Sequence, residues 1–143
     1  NYLLCNMHPI RKVKEEHVII KNFLKEIESS IKNKINRESL LKLLRKFESF
    51  WSQHEEKEEK FFKTISTIES DFPYHKTIIA DHEDLRGHWK VLIDYLKNKP
   101  DLELQIALET DGKMFLDKFQ EHIALEEKYL TENFSKMGSE YFS

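Results

Sequence analysis

Four stretches of this chain carry large side chains at alternating steps of three and four residues, and histidine or glutamate breaks the stripe in each. The first reads Val13, His17, Ile20, Leu24, Ile27, Ile31, and the second Leu40, Leu44, Phe47, Trp51, His54, Glu58, Phe61, Ile65, Ile68. The third is Ile78, His82, Leu85, Trp89, Leu92, Leu96, and a less regular fourth is Leu104, Leu108, Phe115, Phe119, His122, Glu126, Tyr129. Such steps keep side chains on one face of an α-helix, the face that packs. No period-two alternation or hairpin turn offers a strand instead. His17, His54, Glu58, His82, His122 and Glu126 therefore share an interior with leucine and phenylalanine. Imidazole and carboxylate are costly there unless they pair with each other or bind a metal.

The breaks between stripes set the architecture. Pro9 suits a first helical turn, and Asn36, after a short break at residues 33–36, suits an N-cap. A second break falls around Ser70 to Pro73 and a third at Asn98 to Pro100, after which Asp101 is expected to cap the last helix. Gly112 lies inside that helix, as a local weakness or a point of close packing. The expectation is all-α: one domain over residues 1–143, with helices at about 9–32, 37–70, 74–98 and 101–136. Short connections make consecutive helices antiparallel neighbours, an up-down-up-down four-helix bundle. Charged residues at 34 %, with only three Gly and three Pro, suit helices with well-solvated outer faces.

Bulk properties exclude several partners. A net charge of −3 with interspersed signs gives no basic stripe for nucleic acid. No apolar run is long enough to span a membrane. Asn1–Met7 is too short for a secretory signal, so cytoplasm is the expected location. Cys5 is the single cysteine, which rules out an intramolecular disulfide or a thiolate cluster.

On antiparallel helices the six polar core residues come to a common depth. His17 and His54 are each about 17 or 18 residues from the first break, and the other separations differ by about one helical turn. His54 to Glu58 and His122 to Glu126 repeat His-x-x-x-Glu, which puts imidazole and carboxylate one turn apart on one face. Four imidazoles and two carboxylates suit iron, zinc, copper or manganese. If Glu58 and Glu126 each bridge two ions, every ion has two imidazoles and two shared oxygens, with room for a small ligand. The spacing leaves open which two histidines share an ion. The plainer alternative, polar heptad residues that only fix register, suits one lone histidine better than six groups from four stripes.

Other motifs carry less. His54-Glu55 starts like a zincin sequence, but Glu58 replaces the second histidine. No histidine has Glu three residues before it, as ferritin-like di-iron bundles require. No Gly-rich phosphate loop or set nucleophile is present. His75 reads as a helix-start group or a support for a ligand. His88 and His8 read as solvent-facing or capping, and Asp111 as a lining of an entry channel or a sign that Gly112 shifts the local phase. Glu55, Glu59, Glu121 and Glu127 are assigned to solvated faces, unless one of them reaches the metal or orients a ligand histidine.

Glu16-His17, His54 through Glu58, Asp81-His82-Glu83 and His122 through Glu127 together resemble the hemerythrin-like, or HHE cation-binding, family over about residues 9–132. The resemblance implies two non-haem iron ions with carboxylate and oxo or hydroxo bridges, zinc or manganese being possible substitutes. His17, His54, His82 and His122 would be terminal ligands, and Glu58 and Glu126 bridges. Oxygen-carrying members are similar but have His-x-x-x-His on the third helix and a last carboxylate five residues after its histidine. Here position 78 is Ile, position 86 is Arg, and Glu126 lies four residues after His122. A four-His, two-Glu set looks more like the iron-sensing and nitric-oxide or iron-repair branch. The function so implied is to bind or sense oxygen, nitric oxide or a related small species, with di-iron redox activity as its enzymatic form. An iron-responsive module read by a protein partner, or an iron donor for repair of iron centres, is the alternative.

Overall fold

The computed structural model describes residues 9–68 and 75–134. Cys5, His8, Pro73 and Gly138, the expected helix ends near 70, 74 and 136, and the side chains of Ile65 and Ile68 lie outside the described residues. The helices are α1 Pro9–Lys32, α2 Arg37–Ile68, α3 His75–Asn98, α4 Asp101–Ala107 and α5 Lys113–Phe134. A π-helical turn, Leu108–Gly112, joins α4 to α5, so the two form one continuous rod. Each rod packs against its neighbours in chain order and the last closes onto α1, giving an all-α four-helix bundle. Among the described residues no helix is long and apolar enough to cross a membrane.

Local chemistry explains the corners. The Ser39 backbone N–H donates to Asn36 Oδ1 at 3.0 Å, the side-chain cap expected for α2. Asp101, by contrast, does not cap α4. Pro100 precedes the helix without a side-chain cap, and the Asp101 carboxylate instead accepts from Arg37 at 2.7 Å. Arg37 also donates to the Leu96 and Lys99 carbonyls at 2.7 and 2.6 Å. It thereby satisfies the orphan carbonyls at the end of α3 and ties the start of α2 to that end.

The π turn answers the irregular fourth stripe. It spans the gap in the stripe between Leu108 and Phe115, both of which are buried. Gly112 is buried against α1, where an added Cβ would stand 2.9 Å from Ile31 Cδ1. Asp111 accepts a hydrogen bond from the Tyr95 hydroxyl at 2.6 Å, a tie between the fourth rod and α3.

The apolar core is divided. A large cluster includes Ile20, Leu24, Leu44, Phe47, Trp51, Leu85, Trp89, Phe115 and Phe119. A small one holds Ile10, Val13, Phe62, Ile78 and Leu130. On every rod the polar residues of the stripe fall between the two clusters, which places them in one layer. Phe62 and Leu130 are fully buried where the alternating steps point to Phe61 and Tyr129, which are only partly buried.

Candidate metal centre

All six polar stripe residues are buried, each at 6 % exposure or less. Their donor atoms fall into two groups, His17, His54, Glu58, Glu126 and Glu58, His82, His122, Glu126, with the atoms of each group within 4.8 Å of one another. The two glutamates are common to both. The structure therefore pairs His17 of α1 with His54 of α2, and His82 of α3 with His122 of α5. The paired rings lie 5.0 and 4.9 Å apart.

The four imidazoles share one orientation. Every Nε2 faces the layer's centre: His17 is 3.3 Å from Glu58 and 3.2 Å from Glu126, and His54 is 2.9 Å from Glu58. His82 is 2.8 Å from Glu58, and His122 is 3.1 Å from Glu126. Every Nδ1 faces outward onto a carboxylate from the preceding rod. Glu16 lies 3.0 Å from His54, Glu59 3.3 Å from His82, Asp81 3.2 Å from His122, and Glu127 3.2 Å from His17. The acids thus support the histidines in chain order around the bundle: α1 to α2, α2 to α3, α3 to α5, and α5 back to α1. A carboxylate on the outer N–H fixes the ring's tautomer and turns the other nitrogen's lone pair inward, as ligand histidines require.

These supports correct the solvated-face assignment. Glu59 and Glu127 are partly covered and each accepts from a site histidine, and Glu55 is 3 % exposed. Glu16 and Asp81 were not singled out as supports, and Glu16 is itself buried. The available signal was adjacency: Glu16 and Asp81 directly precede His17 and His82, while Glu59 and Glu127 directly follow Glu58 and Glu126. Glu121 is exposed, as expected. His88 is partly exposed and pairs with Asp84 at 3.6 Å. His75 lines a hollow beside the site without joining a donor group.

Without a cation, nitrogen and oxygen this close need a proton between them. Burial alone would depress the His17 and His82 pKa values, but close contact with the Glu126 and Glu58 carboxylates and their charges overcomes it and pushes both up to about 10. His122 is raised too, against burial, chiefly by the Glu126 charge. Burial would raise the Glu58 carboxyl, yet hydrogen bonds with Glu126, His17, His54 and His82 hold it well below the usual carboxylate range.

The metal-free protein should therefore show a definite pH response. A histidine with a raised folded pKa stabilises fully below its unfolded value of 6.5, and that stabilisation drains away as pH climbs to about 10. Glu58, with a depressed pKa, stabilises above 4.5 and loses that contribution as pH falls below it. Metal-free protein is expected to be most stable between pH 4.5 and 6.5, with its urea midpoint falling from 6.5 towards 10. A midpoint that stays level or rises over the upper interval contradicts this charge arrangement.

Protons do not satisfy the whole layer. Among the described residues, His122 Nε2 and Glu126 Oε2 are buried without a hydrogen-bond partner, although 3.1 Å apart. Orphaned polar atoms in a buried layer call for an occupant. Imidazole nitrogen and carboxylate oxygen together fit a first-row divalent ion, so the donor set suits a pair of such cations.

A model of the family described as Hemerythrin HHE cation binding domain matches residues 8–132, a span that contains the whole layer. No match to a curated protein or to a solved structure was found.

Proposed function

The chain belongs to the hemerythrin HHE cation-binding domain family, and from that premise we propose that it is a non-haem di-iron protein that binds or senses a small diatomic species, oxygen or nitric oxide. His17 and His54 would hold one iron, His82 and His122 the other, and Glu58 and Glu126 would join them. The observation that carries this reading is the division of six buried donors into two groups that share both glutamates. Two ferrous ions would supply redox chemistry and, with two imidazoles and two shared carboxylates apiece, coordination positions free for a diatomic ligand.

The protein's own residues do the rest. The four outer carboxylates hold each imidazole by its Nδ1–H, so a lone pair points inward without rearrangement. Trp51, Phe119 and Ile123 on one side and Phe62 and Ile78 on the other keep bulk water from the layer. Their apolar surfaces admit an uncharged diatomic more readily than an ion. Because the large apolar cluster contains none of the six residues, the bundle is expected to keep its helices without metal. That favours a small-ligand role over an iron-responsive fold switch.

Protein produced with iron and handled anaerobically is expected to carry about two irons per chain, as a dinuclear site requires, and its optical spectrum should change on exposure to oxygen or nitric oxide. Zinc in place of iron, or metal near zero, would overturn the reading. Loss of most far-UV helical signal on chelation would instead support the module that folds around iron and is read by a partner, or the iron donor.

A further inference from the structure

Two of the four supporting acids are themselves held by a lysine or arginine, and two are not. Glu16 accepts from His54 Nδ1 on one oxygen at 3.0 Å and from the Lys57 ammonium on the other at 3.2 Å. Glu59 accepts from His82 Nδ1 and from the Arg86 guanidinium, each at 3.3 Å, and Arg86 also lies against Glu55 Oε1. Among the described residues Asp81 and Glu127 pair with no lysine or arginine, only with the histidine each supports.

The two clamps share one plan. Lys57 follows His54 by three residues on α2, and Arg86 follows His82 by four on α3, so each cation stands one turn beyond its histidine on the same face. Histidine and cation close together on one acid from the preceding rod. That acid cannot turn away from the imidazole without also leaving the cation. The other two histidines are not served in this way. His122 is followed at four residues by Glu126, and Lys21, four residues after His17, does not pair with Glu127. The unclamped seams, α3 to α5 and α5 to α1, are the two that bound the fourth rod. That rod also carries His122 Nε2 and Glu126 Oε2, buried atoms left without a partner.

We propose that Lys57 and Arg86 are positioning residues that lock the imidazoles of His54 and His82 through Glu16 and Glu59, leaving His17 and His122 as the ligands that turn when an ion enters or leaves. The inference rests on the dinuclear reading and adds a division of labour within it. The donor groups join His54 with His17 and His82 with His122, so each ion has one fixed imidazole and one that yields. The fixed ligand keeps the ion's place while its partner lets go. The Lys57 and Arg86 side chains are 58 % and 48 % exposed, so truncating either leaves the packed core untouched, and its effect passes through the acid.

The test uses the full chain loaded with cobalt(II), whose paramagnetism shifts the Nδ1–H signals of bound histidines away from the rest of the proton spectrum. Four solvent-exchangeable signals are expected, one from each histidine of the two donor groups, and two of them should exchange slowly. Arg86→Met is expected to speed the exchange of one slow signal about fivefold, and Lys57→Met that of the other, as the loss of a partly exposed ion pair allows. Lys118→Met removes a cation from Asp84, which supports no histidine of the centre, and is expected to change none of them. Equal rates for all four signals in the wild type would overturn the proposal. So would both variants acting on the same signal, neither acting on any, or all four signals quickening together, which is the mark of a general loosening. Failure of the dinuclear reading shows separately, as a wild-type cobalt end point other than two ions per chain.

Discussion

Glu58→Ala is expected to purify with less than about half the metal of the wild-type protein, while His88→Ala keeps its full complement. Glu58 is completely buried, and its oxygens lie 3.3, 2.9 and 2.8 Å from His17, His54 and His82. It belongs to both donor groups, so its loss removes an oxygen from each at once. Changing a residue that merely supports a ligand weakens metal binding about 10- to 100-fold, and a shared ligand should cost more. His88 is in neither group and meets only Asp84 across one helical turn. Metal quantification on the two variants, with circular dichroism to confirm that both are folded, decides the matter. A wild-type metal content in folded Glu58→Ala would remove the shared-carboxylate assignment.

Phe47→Ala is expected to be the most damaging truncation in the apolar core. The ring is fully buried and lies within 5.7 Å, centroid to centroid, of Phe23, Trp51, Trp89 and Phe119. Four aromatic neighbours cannot close together to fill the gap, and such truncations cost about 3–5 kcal/mol. Against a total stability of about 5–15 kcal/mol, that is a large fraction. Leu102→Ala, at 82 % exposure, should stay within about 0.5 kcal/mol of the parent. Urea unfolding of both variants measures the difference; a change under about 1 kcal/mol for Phe47→Ala would contradict the packing described.

The bundle and the meeting of the six donors were legible because one signal carried both. A stripe that buries Leu24 and Trp89 must bury His17 and His82 on the same faces, and short connections then fix the depth. Two kinds of detail escaped. Steps of three and four average 3.5 residues, whereas a straight helix turns in 3.6, so a stripe drifts by about 20° per heptad. By the ends of α2 and α5 the drift has handed the inward position to Phe62 and Leu130, one residue beyond Phe61 and Tyr129. The supporting acids escaped for another reason. Glu16 and Asp81 serve histidines on neighbouring rods, at sequence separations of 38 and 41, and no pattern within one helix encodes such a contact. Asp101 was misread because a capping residue type stands at the right place, while Arg37, 64 residues away, takes its carboxylate.

The circuit of carboxylates means that no corner of the centre is autonomous. Each histidine takes its aim from an acid on the preceding rod, and that rod's own histidine is aimed by another. A shift of charge between ions bound there would tug on all four seams together, and a slide of any one helix would twist an imidazole on the next. Glu59, Asp81 and Glu127 are partly open to solvent, so the strain of such a change reaches the outer skin of the bundle at three separate places. A change confined to ions held in the layer would thereby acquire a readable imprint on the surface without any helix having to melt.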